Sequence, residues 1–302
     1  MNRRILYFIN PRSNEESALK SWKRVRGKYG FLPETPVDIT SIDNVEEYIR
    51  DYDPDVVAIA GGDGTINAVC RAIIKLERKP VVTIIPFGFG NALSYCFGVD
   101  TVEKAMDVLL NSQDEILVDL MKTNIPEYEV GVFNIGVGFD ARIVHSRMNY
   151  RYIGVRSYFI SAVRSIIAHP EKEIIITIDH NVSLRATASS LVIANTPIIG
   201  HNFVVSPDAK LNDGLLDCTL FSTKYAYLTN LRLRGFNHPL YSELGKVKFK
   251  ASHIQVDGEP HIQVDGDPVI QAGGVTVEVL PDCVKFLKNK DSEIDSLYSP
   301  FV

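Results

Sequence analysis

Apolar and polar positions in the first third of the chain follow two alternating textures. Short apolar runs at 5–10, 37–40, 55–60 and 81–85 are nearly continuous, the pattern of strands covered on both faces. Between them, the polar stretch 13–28, the stretch 41–51 and a pattern through Ala68, Val69, Ala72 and Ile73 predict helices. Ser41 or Asp43 is placed to cap the second of these. Strand alternating with helix predicts a parallel sheet covered by helices, an α/β domain.

After about residue 124 the texture changes. Runs at 174–178, 189–194, 215–221, 247–249 and 275–280 are alternating or β-branched. Turn clusters such as Asp179-His180-Asn181 and Asn212-Asp213-Gly214 separate them. One helix is predicted among them, over 157–169, with Phe159, Val163, Ile166 and Ile167 at helical spacing and Pro170 as its stop. The second domain is therefore expected to be mostly antiparallel β, with a division into 1–124 and 125–302. A tandem duplication lies inside it: His253-Ile254-Gln255-Val256-Asp257-Gly258-Glu259-Pro260 runs directly into His261-Ile262-Gln263-Val264-Asp265-Gly266-Asp267-Pro268. A single duplication of this length is too short for a solenoid.

Composition narrows the classes. With 302 residues, 45% apolar and 23% charged, the chain is long enough for two ordinary cores. A formal net charge of -5 argues against nucleic acid as a partner. The local basic run Lys20, Lys23, Arg24, Arg26 and Lys28, with Trp22 among them, reads as a solvated helix face. Cys70, Cys96, Cys218 and Cys283 are too scattered for a disulfide framework or a CxxC metal pair, so a reducing cytoplasm is the expected location. The N-terminal apolar run is too short for a signal peptide, and nothing approaches the about 18 apolar residues that span a bilayer.

Two glycine-rich turns carry the candidate chemistry. Gly61-Gly62-Asp63-Gly64-Thr65 follows a buried strand and opens a helix. Glycines let backbone N–H groups approach phosphate oxygens, and a helix N-terminus adds partial positive charge. Asp63 would repel a phosphate, so it suits a Mg²⁺ that accompanies one, while Thr65 and Asn67 offer neutral hydrogen bonds. A plain tight turn with a capping aspartate is the alternative. Pro86-Phe87-Gly88-Phe89-Gly90-Asn91 ends the next strand, and Asn10 ends the first. In a parallel sheet these carboxyl ends converge. The GGDGT turn is neither a Walker A loop nor a Rossmann fingerprint, since the lysine and the spacing are both missing.

These strings together resemble the diacylglycerol-kinase catalytic family, whose members include soluble bacterial lipid kinases and sphingosine and ceramide kinases. Asn10-Pro11-Arg12-Ser13, the GGDGT turn, the following Pro86–Asn91 turn, Asn134–Ala141, Asn212–Asp217 and the DG[ED]P repeat occur in the family's order over nearly the whole chain. The resemblance implies an α/β nucleotide-binding domain with a parallel sheet plus a C-terminal, mostly antiparallel β-sandwich, α+β overall. It implies an ATP-dependent lipid kinase acting on diacylglycerol, phosphatidylglycerol, ceramide or a sphingoid base. ATP would be held by Asn10, Pro11, Arg12, Ser13, Thr40, Gly62, Asp63, Gly64, Thr65, Ile66, Asn67, Ala68, Gly90 and Asn91. A structural Mg²⁺ would sit at the carbonyls of Lys210 and Leu215 and the carboxylate of Asp213, unless that segment is only a hairpin turn. Asp140 would face the lipid head group, unless it caps a helix.

The resemblance also places the family's acid–base residue in the DG[ED]P segment, where a carboxylate takes the proton of the attacking hydroxyl. Spacing to the closing strand favours the second copy, so Asp265 and Asp267 are expected at the site, with Glu259 second. The expected partner is a lipid at a membrane surface, visited transiently by a peripheral, cytoplasmic enzyme. A homodimer is compatible with the sequence. Asn14, Phe89, Ala92 and Asp267 depart from the family's usual residues. NAD kinase, which shares the GGDGT turn, and a non-catalytic lipid-binding relative stay open as alternatives.

Overall fold

The continuous apolar runs of the first third become strands β1 (Ile5–Ile9), β2 (Val37–Asp38), β3 (Val56–Gly61) and β4 (Val81–Pro86) in a computed structural model of the protein. It describes residues 3–13, 17–88, 91–148, 160–161, 164–165, 171–199, 203–230, 232–233 and 244–290. The predicted helix over 157–169 lies mostly outside them. Two units emerge, one of Met1–Val118 with Asp282–Val302 and the other of Asp119–Pro281.

In the first unit the strands are parallel, in the order β2-β1-β3-β4. Every residue of β3 is buried, which is why its apolar run does not alternate. Helices Ala18–Lys28, Asp63–Ile73 and Val102–Asn111 pack on these strands, and Val45–Tyr52 packs on Asp63–Ile73. Two local expectations are corrected. The second strand stops at Asp38 because its carboxylate accepts the Thr40 N–H at 2.9 Å and starts a 3₁₀ turn, Ile39–Ser41. That turn uses Ser41, so the next helix is capped by Asn44 instead, whose Oδ1 accepts the Glu47 N–H at 3.2 Å. The chain also returns at its end: in β19 (Val275–Leu287), Phe286 pairs in parallel with Val82 and stacks on Phe97 at 4.7 Å.

The second unit is a β-sandwich. Its strands run β5 (Glu115–Thr123, begun in the first unit), β6 (Val130–Gly131), β7 (Asn134–Gly138), β8 (Lys172–Ile178), β9 (Val182–Ala188) and β10 (Ser190–Ala194). They continue as β11 (Ile198–Ile199), β12 (Phe203–Val204), β13 (Leu216–Phe221), β14 (Arg232–Leu233), β15 (Lys246–Ala251), β16 (His253–Asp257), β17 (His261–Val264) and β18 (Asp267–Ile270). One antiparallel sheet has the order β15-β13-β10-β7-β17-β18; opposite it β9, β8, β16 and the start of β19 pair antiparallel. A small sheet of β11, β12 and β14 completes the unit.

The duplicated octapeptide supplies both faces of this sandwich. The first copy is β16, between β8 and β19; the second is β17, between β7 and β18. Ile254 and Val256 of one, and Ile262 and Val264 of the other, enter the same core. Burial parts the glutamines: Gln255 is exposed, whereas Gln263 is 2% exposed. Truncation of either buried isoleucine, Ile254→Ala or Ile262→Ala, is expected to cost about 2–4 kcal/mol in denaturant unfolding. Gln255→Ala should stay within about 0.5 kcal/mol of the parent.

Candidate active site

The carboxyl ends of β1 to β4 gather the first set of predicted residues. The Asn10 N–H donates to the Ala60 carbonyl at 3.1 Å, and its side-chain amide donates to Thr65 Oγ1, also at 3.1 Å. Its Oδ1 accepts the Arg12 N–H at 3.0 Å, and its carbonyl accepts from Ser13. Asn10 thus ties the Asn-Pro-Arg-Ser turn to the GGDGT turn. Gly62 caps the Asp63–Ile73 helix, and its carbonyl accepts from Thr65 and Ile66. Gly88 lies against it so closely that a Cβ there would stand 2.2 Å from Gly62 Cα. Asn91, with φ +48°, donates from its amide to the Gly88 carbonyl at 2.8 Å.

Asp63 does more than begin a helix: its Oδ1 accepts the Ala92 N–H at 2.9 Å, so it anchors the short helix Ala92–Cys96. Gly64, Ala68 and Arg12 are exposed, and Thr40 stands exposed after β2. Pro11 and Ser13 are half-buried. Ile66 points into the core, so only its backbone could meet a ligand, while Asn67 is buried. Gly90, Asn14 and Phe89 lie outside the described residues.

The C-terminal unit holds the acidic hairpin. Asp265 (φ +53°) and Gly266 (φ +88°) form the two-residue turn between β17 and β18, the geometry for which Asp-Gly is suited. The Asp265 carboxylate accepts N–H groups from Val132 at 2.7 Å, Phe133 at 2.8 Å and Asn134 at 3.1 Å. Its oxygens are engaged in holding the turn. Asp267, the first residue after it, is exposed. Glu259, of the first copy, is buried and meets His261 Nδ1 at 2.6 Å and Lys172 Nζ at 3.0 Å. Burial works to raise its pKa, but His261 and Lys172 outweigh it and hold the carboxyl below its ordinary value.

Asp140 is 4% exposed, near the start of the Phe139–Arg147 helix. It accepts from Tyr227 Oη on one oxygen and from Gln263 Nε2 at 2.9 Å on the other. Burial pushes its pKa up.

At the Asn212-Asp213-Gly214 turn, where the resemblance implies a divalent ion, the Asp213 carboxylate is held by protein groups. Asp213 Oδ1 already accepts the Leu215 N–H at 3.2 Å. Its Oδ2 lies 2.8 Å from Lys250 Nζ, which also stands 3.2 Å from Asp217 Oδ2. Lys250 is directly opposite Asp217 across β13 and β15, so the strand register places an ammonium at the turn's one carboxylate. Lys210 is exposed and Leu215 half-buried.

Three residues were not singled out from the sequence. Asp119, buried in β5, accepts the Gly214 N–H at 2.8 Å and donates its own N–H to the Leu211 carbonyl at 2.7 Å. Its signal was a lone carboxylate inside the apolar run of β5. Lys250 gave no signal beyond strand alternation, and Gln263 is identical in both copies.

The class is settled by comparison with known proteins. Residues 4–123 match the diacylglycerol kinase catalytic domain and residues 133–288 match the YegS C-terminal NAD kinase beta sandwich-like domain. The chain belongs to the diacylglycerol kinase catalytic-domain family, a family of kinases. It is 24% identical over 282 residues to a diacylglycerol kinase of Bacillus subtilis (strain 168), covering 85% of this chain and 89% of that one. A diacylglycerol kinase of Staphylococcus carnosus (strain TM300) is 25% identical over 280 residues, covering 86% and 89%. A crystal structure of a diacylglycerol kinase from Bacillus anthracis str. Sterne superposes with a TM-score of 0.69 at 19% identity, over 95% of this chain and 97% of that chain. An NAD kinase from Archaeoglobus fulgidus in complex with ATP superposes at 0.52 with 14% identity, over 97% and 98%. These two likenesses are of fold.

If the Lys250 ammonium takes the place of that ion at Asp213, exhaustive chelation leaves the Tm of the nucleotide-free protein unchanged, since an ion that is not bound adds nothing by mass action. Lys250→Met should cost about 1 kcal/mol, after allowance for solvent screening of a lysine side chain that is 37% exposed. A fall in wild-type Tm on chelation, reversed by Mg²⁺, would restore the divalent site.

Proposed function

We propose that the protein transfers the γ-phosphate of MgATP to the hydroxyl of a lipid. The observation that carries this reading is the convergence of Asn10, Gly62, Gly88 and Asn91 at the carboxyl ends of parallel strands in a member of a kinase family. A turn-rich edge of this kind supplies backbone N–H groups and a helix N-terminus to polyphosphate oxygens. The remaining ATP-site residues, from Pro11 to Ser13, Thr40, and Gly64 to Ala68, border the same edge. Asp63 is the carboxylate assigned to the metal of MgATP. The names of the relatives, diacylglycerol kinases among them, support a lipid acceptor.

On the acceptor side, Asp267 is the assigned base. A lipid hydroxyl attacking the γ-phosphorus loses its proton as the new O–P bond forms and the bond to ADP breaks, and an exposed carboxylate at that oxygen takes the proton. Asp265 supports the turn, Asp140 supports it from below, and Glu259 is paired inside the fold. The enzyme would meet its lipid at a membrane surface. No helix among the described residues is long and apolar enough to cross a membrane, which suits a transient encounter.

Transfer of ³²P from ATP to a panel of diacylglycerol, phosphatidylglycerol, ceramide and sphingoid bases in mixed micelles tests the reading, with NAD as a separate acceptor. One of the lipids is expected to be labelled and NAD is not. Labelled NAD would replace the lipid-kinase reading, and ATP binding without transfer would indicate a non-catalytic lipid binder. Asp63→Asn and Asp267→Asn are each expected to lower kcat by about 10²-fold or more in folded protein, the scale of losing metal or general-base assistance. Full turnover in either variant removes that residue from the mechanism.

A further inference from the structure

The hairpin that carries Asp267 is held by a buried amide whose orientation is fixed on every side. Gln263 Oε1 accepts the Gly266 N–H, in the turn itself, at 2.7 Å. Its Nε2 donates to Asn134 Oδ1 and to Asp140 Oδ2. A flipped amide would set its oxygen against those two acceptors and its NH₂ against the Gly266 N–H, so one orientation satisfies all the partners. The acceptor Asp140 is itself fixed by Tyr227 Oη, and the Tyr227 ring packs edge-on against Phe139 at 5.6 Å and Phe221 at 5.2 Å. The space is closed beneath: a Cβ on Gly136 would stand 1.7 Å from Asp140 Oδ2 and 2.9 Å from Gln263 Nε2.

The duplication supplies an internal comparison. Gln255 holds the same place in the same string, two residues before Asp-Gly, yet it is exposed and reaches only Asp257 Oδ2, at 3.0 Å. Strand placement alone gives the second glutamine its network.

We propose that Gln263 is a positioning residue for phosphate transfer: through Gly266 it fixes the turn that presents Asp267, and Asp140 and Tyr227 keep its amide oriented. This rests on the reading of Asp267 as the base. Asp140 then acts through Gln263 and the turn, from a buried position.

The test uses the full-length protein and two readouts: kinetics with ATP and whichever lipid the panel labels, and amide hydrogen exchange of Gly266 by NMR, which needs no substrate. Gln263→Met should lower kcat by about 10-fold or more with KM for ATP unchanged, since small misplacements of a reacting group cost rate rather than nucleotide binding. Exchange at Gly266 should quicken about 10-fold or more as the turn opens locally. Gln255→Met should match the parent in both. Tyr227→Phe keeps the ring packing and loosens the network from its far end, so it serves if Gln263→Met does not fold. It should move both readouts in the same direction by about 3-fold, the scale of one lost hydrogen bond diluted through a network. Parental exchange at Gly266 in folded Gln263→Met or Tyr227→Phe overturns the clamp. Fast exchange with parental kcat overturns its role in positioning. Full turnover of Asp267→Asn would instead strike the base assignment and leave the exchange result standing.

Discussion

A backbone N–H buried without an acceptor costs about 1–3 kcal/mol, and the turns that carry this chain's motifs create such donors at several strand ends. Most of the side chains that meet them come from distant parts of the sequence, and one, Gln263, from within the same hairpin. Asp63 accepts from Ala92, Asp119 from Gly214, and Gln263 from Gly266. Asp265 gathers three donors in succession, from Val132 to Asn134. A carboxylate in one segment therefore sets the shape of a turn in another. The glycine-rich edge of the first unit and the acidic hairpin of the second are two products of this one constraint.

The duplicated strand shows how far that constraint outranks local sequence. Both copies bury the same isoleucine and valine in one core, as period-2 alternation requires. Their polar residues diverge because the neighbours differ. β17 lies beside β7, where Asn134 and the glycine at 136 leave room for a glutamine amide, whereas β16 turns Gln255 to solvent. The same six letters, from histidine to glycine, yield a clamped turn in one place and a sheet-to-sheet connection in the other.

Much of this was legible in the sequence, for physical reasons that also mark where legibility ends. The continuous run of β3 followed by Gly61-Gly62-Asp63 announced a strand, a turn and a helix, because burial on both faces and the absence of Cβ atoms leave few alternatives. The alternating runs announced the second unit. Asn44 was missed as a cap because Ser41 and Asp43 are equally good capping residues, and only the 3₁₀ turn at Asp38 shifts the start. The return of β19 to the first unit was missed because its apolar residues suit either core. Lys250 was invisible: its effect on Asp213 arises from register across β13 and β15, which no local pattern encodes.

Burial also separates the two carboxylates that occupy equivalent places in the repeat. A base must be able to reach its substrate and gain from taking a proton. Glu259 is enclosed, with an imidazole and an ammonium at its oxygens, and these partners favour its ionised form. Protonating it would break both contacts inside the fold, so its proton affinity is spent on structure. Asp267 stands exposed on a hairpin whose rigidity is supplied from below by Asp265 and Gln263. Burial therefore fixes Glu259 and the groups that support the turn, while Asp267 stays exposed at its rim, the placement that the base role proposed for it requires.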